Sequence, residues 1–550
     1  MAEPVRIVPL GGLGEIGLNM LVVETAGAAI AIDCGVLFPE RPGLGIDLLL
    51  PDVTYLESRP DLLRAVVLTH GHEDHIGAVP RLLRKFPVPV FGPRLAIELV
   101  REKLRRADVT ASLEVITPGT EIAIGPFTVE AIHMTHSIID ACALAIGTPQ
   151  GTILHSGDFK LDATPVDGRR ADTDRIAELA RKGVLLLLSD STNVESEGEC
   201  GSESSVGPRL TELFAHTTGR VYVTTFASHL HRLQQVVDAS QACGREIAVA
   251  GRGIEESTRL GGELGYLKLP RHGLIGTDQL EALPRGASTV VITGSQGEPN
   301  SALNRLSEGQ FRGLEVLPGD GVVFSSRIIP GNERPVHAVL NRLSRRGAEI
   351  HRGERDHVHV SGHAHRDELR TLIQLAKPRY FVPVHGEYRH LAEHRRLALE
   401  AGMDGADCFL LEDGDVLEIE GPTVRRSERV VAGRVALDGT GEGDVGPEIL
   451  RERRHLSEDG VVVAVVAIHA QTGELTSGPE LIMRGVVGES SEAAVREEAR
   501  LVILAGLRGL TPESRADLIE AEDGMRRALK RYFSRTLGRR PLIVPHVFEL

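Results

Sequence analysis

The chain has 550 residues, with 62 Lys and Arg against 77 Asp and Glu for a formal charge of −15, and 41% of it is hydrophobic. This excludes a small disulfide scaffold and a disordered chain, and the length allows about three or four domains at ~100–200 residues each. The charge excludes a general coat of positive surface for binding polyanions, so a nucleic-acid role would need locally positive patches.

At the N-terminus, MAEPVRIVPLGG has no basic segment followed by a long apolar one, and the five cysteines form no CxxC pair. Both point to a cytoplasmic, reducing setting. Short β-rich runs follow: Arg6–Leu10, Met20–Glu24, Ala28–Asp33, Ala65–Thr69, Phe127–His133 and Thr152–Ser156, several of them split by Gly or Pro. Helical patterns at Pro80–Lys85 and Pro93–Arg106 interrupt them. From Pro208 to about Gly353, helix-period stretches (Arg209–His216, Leu230–Ala242, Arg334–Arg346) alternate with apolar strands (Val221–Thr225, Glu246–Ala250, Thr289–Thr293, Val322–Ser325). That is the βαβ rhythm of a parallel sheet. Arg379–Val384 and Asp407–Glu420 return to β-rich sequence, and the polar, Gly-rich stretch Asp438–Ser457 reads as a linker. The last segment predicts a strand over Gly460–Ala470, another over Leu481–Val487, helices over Glu492–Leu507 and Pro512–Thr536, and a terminal strand, a small α+β module. No apolar run exceeds that around Val461 to Ile468, far short of the ~18–20 residues that span a bilayer, so no membrane segment is expected.

Gly12-Leu13-Gly14-Glu15-Ile16-Gly17 matches a dinucleotide fingerprint, with Asp33 at the expected distance beyond it. The chemistry of that motif needs its third glycine to open a helix whose N-terminus holds the pyrophosphate. Here Gly17 leads into one strand and then a turn and another strand, so the run reads as a tight Gly-rich turn at a sheet edge.

The strongest signal is Ala65–Gly77, in which a buried strand delivers a loop carrying His70, His72, Asp74 and His75. Three imidazoles and a carboxylate packed together repel when protonated and are costly to desolvate without a cation. The donor set suits zinc, with manganese as the lesser candidate. One loop cannot close two coordination spheres, so further ligands must come from elsewhere. His136, Asp158 and His385 stand as candidates, each following an apolar run and preceding turn chemistry, as a site at one edge of a sheet requires.

H-x-H-x-D-H after a strand resembles the signature of the metallo-β-lactamase superfamily, over about residues 1–205 and 355–435. The βαβ insertion between them resembles the β-CASP domain of nucleic-acid-processing nucleases. The ordered runs GGLGEIGLNM, LTHGHEDHIGA, HSGDFKLDATPVDG, LLSDSTNVE, TGSQGEP, SSRIIPGNE, HVSGHAH and PVHGEYRH resemble the ribonuclease J family of 5′-to-3′ exonucleases and endonucleases over nearly the whole chain. The resemblance implies an α/β fold: a metallo-β-lactamase αββα sandwich with an inserted β-CASP domain and a small C-terminal α+β domain. The expected division is 1–205 and 355–437 for the sandwich, 206–354 for β-CASP, 438–458 for the linker and 459–550 for the C-terminal domain. It implies two zinc ions per subunit, one on His70, His72 and His136, the other on Asp74, His75 and His385, with Asp158 bridging. The β-CASP motif positions fall on Asp190, His363 and His385, and a histidine at the last goes with RNA-processing members.

Two such ions can share a water, lower its pKa toward ~7 and stabilise the phosphorane, so that a bridging hydroxide attacks phosphorus and leaves a 5′-phosphate and a 3′-hydroxyl. His363, oriented or charge-tuned by Asp190, is the candidate general acid for the departing 3′-oxygen. His359, Val360, Ser361 and Gly362, together with His363, form a small-residue turn whose N–H groups could cradle a phosphate, and in the family this stretch contacts the RNA 5′ end. His365 departs from the family pattern, where a smaller residue such as Ser is common, and could supply pH-dependent positive charge. Ser228, His231, Ser326, Arg327 and Asn332 are candidates to hold the backbone of the next nucleotides.

Asp47 and Asp438 with the Gly45 carbonyl could form an oxygen site for structural calcium. The basic stretch from Met525 to Arg540 could contact RNA or a subunit, and the resemblance implies a homodimer or homotetramer assembled through the C-terminal module, with other RNA-processing proteins as further partners. The resulting expectation is a zinc-dependent ribonuclease acting on single-stranded RNA in rRNA and mRNA maturation and decay. Its competitors are a small-molecule esterase or thioesterase of the same fold, which would need no β-CASP roof, and a silent assembly subunit, which could lose its ligands freely.

Overall fold

The computed structural model describes residues 3–39, 45–311, 313–329, 331–353, 355–439, 441–442 and 445–550. Two compact units are formed: Met1–Leu37 with Leu50–Arg434, and Phe38–Leu49 with Val435–Leu550.

The larger unit is built on two stacked sheets. One runs, edge to edge, Thr423–Arg426, Leu417–Glu420, Val5–Gly11, Met20–Thr25, Ala28–Ile32, Leu63–Val67, Val90–Gly92, Leu113–Val115. The other runs Tyr380–Val384, Val184–Asp190, Gly151–His155, Cys142–Thr148, Phe127–His133, Glu121–Ile124. Their facing side chains, among them Ile30, Val67, Val129, Leu144, Leu186 and Val382, make one continuous core. On the outer face of the second sheet the helices Thr173–Lys182, Arg366–Ala376 and Tyr388–Glu400 bury Ile176, Leu372 and Leu397. Burying sheets on both faces explains why these strands read as apolar runs rather than as alternating ones.

Between the two halves lies a five-stranded parallel sheet, in the order Glu246–Ala250, Ser288–Ile292, Val221–Thr224, Gly321–Phe324, Glu349–Arg352, with an apolar cluster on each face. Four of its strands follow the βαβ rhythm of the sequence to within a residue or two, and the edge strand Glu349–Arg352 is additional to those expected. The chain then returns to the sandwich at Tyr380–Val384, which pairs parallel with Val184–Asp190 so that Asp190 lies opposite Val384. Ile32 likewise lies opposite Val67 in a parallel pair. Parallel pairing matters for function because it brings the C-terminal ends of several strands to one edge of the sandwich, where crevices for ligands form.

In the smaller unit, Val461–Ile468 lies between Leu475–Arg484 and Leu542–Glu549. Alternate residues Val462, Ala464, Val466 and Ile468 pack against the helices Glu489–Arg508 and Leu518–Tyr532. Two expectations are corrected here. The stretch read as a linker, 438–458, is largely a helix, Pro447–Asp459, with Pro in its first turn and Gly460 as its C-cap. The glycines and acids just before it dominated the composition, while Ile449 and Leu456 stay 39% and 42% exposed and gave little apolar signal. The single helix expected over Pro512–Thr536 is broken at Asp517, whose carboxylate accepts from the N–H groups of Ile519 and Glu520 and so starts a new helix.

Candidate metal centre

The site residues leave strand ends at this one edge. Asp33 follows Ala28–Ile32, Thr69 and His70 follow Leu63–Val67, His136 follows Phe127–His133, Asp158 follows Gly151–His155, Asp190 ends its strand and His385 follows Tyr380–Val384. His72 is the N-cap of the short helix Glu73–Ile76, which places Asp74 and His75 in its first turn. That turn is pressed against Gly35, where any Cβ would stand 1.6 Å from the Asp74 carbonyl oxygen, so only glycine fits. His385 takes φ +54°, a left-handed conformation that turns the chain sharply after its strand.

Two groups of four donors result. In the first, His72 Nδ1 stands 3.1 Å from His70 Nε2 and 3.2 Å from His136 Nε2, and Asp158 Oδ2 stands 3.7 and 3.9 Å from the latter two. In the second, His75 Nε2 is 3.2 Å from Asp158 Oδ2 and 3.7 Å from Asp74 Oδ2. His385 Nε2 is 3.5 and 3.4 Å from the same two oxygens. A tetrahedron of donors about 2.0–2.1 Å from a central ion has edges of about 3.3–3.4 Å. Both groups therefore fit a small divalent cation, and Asp158 belongs to both. A third grouping of Asp158, Asp190, His363 and His385 also meets ligand spacing. There, however, both Asp190 oxygens are committed: Oδ2 lies 2.8 Å from His363 Nδ1, and Oδ1 accepts from Thr192 Oγ1 at 2.7 Å.

The second nitrogen of most ligands is held. Asp33 Oδ2 pairs with His75 Nδ1 at 2.7 Å and accepts from Thr69 Oγ1 at 2.7 Å, and that hydroxyl stands 3.0 Å from His70 Nδ1. His136 Nδ1 donates to the Gly362 carbonyl at 2.6 Å, and His385 Nδ1 meets Thr192 Oγ1 at 2.7 Å. Such contacts fix the tautomer and aim the other nitrogen at a cation.

Burial divides the histidines by charge. It pushes His70 and His136 well below the ordinary imidazole range, helped by neighbouring histidines, and His72 to about 4. For His75, burial acts downward but the carboxylates of Asp158, Asp74 and Asp33 outweigh it and hold the ring well above that range. For His385, Asp158 leads the carboxylates that overcome burial, raising it to about 9. Asp158 is buried, yet His385 and His75 hold its carboxyl well below the usual range.

Of the other predicted residues, the turn at 359–363 lies beside this pocket. Ser361 accepts from Asn193 Nδ2 at 2.7 Å, His359 is buried with no partner for Nδ1 among the described residues, and Gly362 approaches His136 so closely that a Cβ would lie 2.9 Å from its ring. Val360 packs with the apolar cluster of the inserted domain. His365 stands at the N-cap of the helix Arg366–Ala376, its backbone N–H donating to Glu368 Oε2 at 2.9 Å. Arg327 Nη1 donates to Asn193 Oδ1 at 2.6 Å, Ser326 is buried, and His231 Nε2 lies 3.5 Å from Asp167. Ser228 stands just ahead of the helix Leu230–Ala242, and Asn332 Nδ2 reaches Gln296 Oε1 at 3.4 Å. Several of these residues, Ser361, Arg327 and Asn332 among them, are thus engaged with protein partners, while His359 and His365 each keep a ring nitrogen unpaired among the described residues. In the smaller unit, the Arg453 guanidinium donates to the Gly45 carbonyl and to Asp438, while Asp47 accepts from Gly439 N–H. A guanidinium already supplies the positive charge for which calcium was expected. Arg526, Arg527, Lys530 and Arg531 are exposed on the helix Leu518–Tyr532.

Asn19, whose Nδ2 donates to the Asp74 carbonyl at 3.1 Å, and Asp33, Thr69, Thr192 and Asn193 are not singled out by the sequence as site residues. Asp33 was weighed only as part of a nucleotide fingerprint, and the two threonines carry no signal beyond adjacency to His70 and Asp190.

An αββα sandwich that collects imidazole and carboxylate donors at one edge, beside an inserted parallel-sheet domain, defines a metal-dependent hydrolase of the metallo-β-lactamase type. Residues 13–192 match the metallo-β-lactamase superfamily model and 351–410 the Zn-dependent metallo-hydrolase RNA specificity domain. Residues 218–343 and 448–550 match the ribonuclease J β-CASP and C-terminal domains. The chain is 40% identical over 546 residues to ribonuclease J of Mycobacterium tuberculosis, covering 99% of this chain and 97% of that one. It is 37% identical over 550 residues to ribonuclease J2 of Bacillus subtilis, covering 100% and 99%. With ribonuclease J of Helicobacter pylori it shares 38% over 549 residues, covering 98% and 79%. A crystal structure of a protein of unknown function from Enterococcus faecalis shares the fold at 17% identity, with a TM-score of 0.54 over 76% of this chain and 100% of that one. The chain belongs to the ribonuclease J family and is a metal-dependent ribonuclease whose substrate is RNA.

Proposed function

We propose that the chain is a zinc-dependent ribonuclease that degrades single-stranded RNA from the 5′ end and also cleaves internally, leaving 5′-phosphate and 3′-hydroxyl products. The observation that carries this reading is Asp158, shared by two tetrahedral donor groups, with the His363–Asp190 pair beside them. His70, His72, His136 and Asp158 would hold one ion, and Asp74, His75, His385 and Asp158 the other, with manganese as an alternative metal. Bound there, divalent ions supply Lewis acidity, lowering the pKa of water toward ~7 and neutralising charge on the scissile phosphate.

The chain's own residues handle the leaving group. Asp190, buried, accepts from Nδ1 of His363 and holds the ring in place, leaving Nε2 as the nitrogen that gives up a proton. As the bond from phosphorus to the 3′-oxygen breaks, that proton passes to the oxygen. The His363 side chain is 21% exposed, open enough to be reprotonated from solvent. The turn at Ser361–Gly362 sits next to His136 and is suited to hold a backbone phosphate, with His365 one turn further on. Action in rRNA and mRNA maturation and decay, in the cytoplasm and as a homodimer or homotetramer, completes the reading. No described helix is long and apolar enough to cross a membrane.

The test is a 5′-monophosphorylated, labelled single-stranded RNA incubated with the protein, with and without EDTA. Stepwise release of nucleotides that EDTA abolishes is expected; release insensitive to EDTA, or none at all, contradicts the proposal.

A further inference from the structure

A hydrogen-bond chain joins the two histidines on the Asp190 side of the pocket, and its donors can be assigned in one way. Asp190 Oδ1 accepts from the backbone N–H of Thr192 at 2.9 Å, so this oxygen is an acceptor. Asp190 Oδ2 takes the proton of His363 Nδ1 at 2.8 Å, and Oδ1 takes that of Thr192 Oγ1 at 2.7 Å. The threonine hydroxyl has one proton, so its oxygen must accept at 2.7 Å from His385 Nδ1. With the proton on Nδ1, Nε2 is the ring nitrogen of His385 that would serve as a ligand beside Asp74 and Asp158. Reversing the bonds would set two oxygens facing each other 2.7 Å apart without a proton, and would turn a nitrogen with its proton toward the cation. The same pattern recurs independently on the other sheet, where Thr69 gives its proton to Asp33 and stands 3.0 Å from Nδ1 of His70.

We propose that Thr192 is a positioning residue that fixes the tautomer of His385 and ties this ligand to the His363–Asp190 pair. The proposal rests on the metal reading above. The Thr192 hydroxyl is the hydrogen-bond partner of His385 Nδ1 among the described residues, and Asp190 Oδ1 stands 3.6 Å away, beyond hydrogen-bond reach, so without the hydroxyl the ring must tilt or leave its donor unpaired. Contacts of this kind to a metal-ligating histidine set affinity as well as geometry, and losing one costs about 10–100-fold.

The test uses the full-length, zinc-loaded protein and its Thr192→Val and Thr192→Ser variants, titrated with a chelator while released zinc is read with a colorimetric indicator. Thr192→Val should give up part of its zinc at about 10–100-fold lower chelator concentration, and Thr192→Ser should behave as the unmodified chain. Valine keeps the shape and loses the hydroxyl, and serine does the reverse. Equal release from all three proteins overturns the proposal, as does a serine variant as weak as the valine one. A second measurement needs no variant: the ¹⁵N shifts of His385 in the zinc-loaded chain should show a protonated Nδ1, and a protonated Nε2 overturns the assignment. If the unmodified chain binds no zinc, both this proposal and the metal reading fall; if it binds zinc but valine changes nothing, only the role of Thr192 falls.

Discussion

The two sides of the pocket are built on one plan and end differently. On one side Asp33 meets His75 directly and His70 through Thr69; on the other Asp190 meets His363 directly and His385 through Thr192. The first set is closed off, with His70 at 0% and His75 at 2% exposure. The second ends on His363, whose side chain is the exposed member at 21%. An aspartate that orients two imidazoles can therefore serve two ends. Where both imidazoles are buried among donors, it would fix ligands; where one reaches solvent, it would leave at the rim the proton donor proposed above. Position at the rim rather than residue type separates the two roles.

Predictions can break or sharpen this contrast, and the largest concerns the residue common to both halves. Replacing Asp158 with Asn should abolish cleavage and empty both donor groups, as read by metal content per chain; full metal content would break the shared-carboxylate picture. On the open side, His363→Ala should lower cleavage about 10²–10⁴-fold with metal content unchanged. Full activity in that variant would remove His363 from the mechanism and erase the difference between the two sides. On the closed side, Asp33→Asn should weaken metal retention about 10–100-fold, because an amide oxygen that accepts from His75 and the Thr69 hydroxyl leaves its NH2 facing the Thr69 N–H that the carboxylate accepts. Loss of activity at full occupancy would instead assign Asp33 a role in chemistry.

The smallest effect is on stability and runs through histidines outside the pocket. Burial holds His229 at about 4 and His394 at about 3, against an ordinary 6.5. Below 6.5 the unfolded chain takes protons that the fold refuses, so each residue costs about 1.4 kcal/mol per pH unit as pH falls toward its folded value. His385 has the opposite sign in the ion-free protein. Raised to about 9, it contributes stability that is full below 6.5 and lost as pH rises through 9. Urea midpoints of chelator-treated protein between pH 7 and 5 should fall with pH, and His394→Gln should flatten the slope. An unchanged slope in that variant would contradict the assignment.

The strands of the sandwich, the inserted parallel sheet and four of the seven candidate ligands were legible because each leaves a strong local trace. Buried parallel strands read as apolar runs, and His70, His72, Asp74 and His75 lie within one loop. His136, Asp158 and His385 carried weaker traces, since a lone polar residue after a strand is common, and it was the ordered family motifs that joined them. Asp33, Thr69 and Thr192 were hidden because their contacts are long in sequence and short in space, 42 residues for Asp33 to His75 and 193 for Thr192 to His385. The helix Pro447–Asp459 was missed for a different reason: its apolar positions stay half exposed, so the periodicity that marks a buried helical face is faint.

The central claim is that two ions bound around one aspartate are what make this chain cleave RNA. The most direct measurement strips the protein of metal, returns zinc in measured steps, and follows bound metal and cleavage of a 5′-labelled single-stranded RNA together. The account predicts no cleavage in the stripped protein and full cleavage once two ions are bound per chain. Cleavage that persists without metal, or that saturates with a single ion bound, would contradict it.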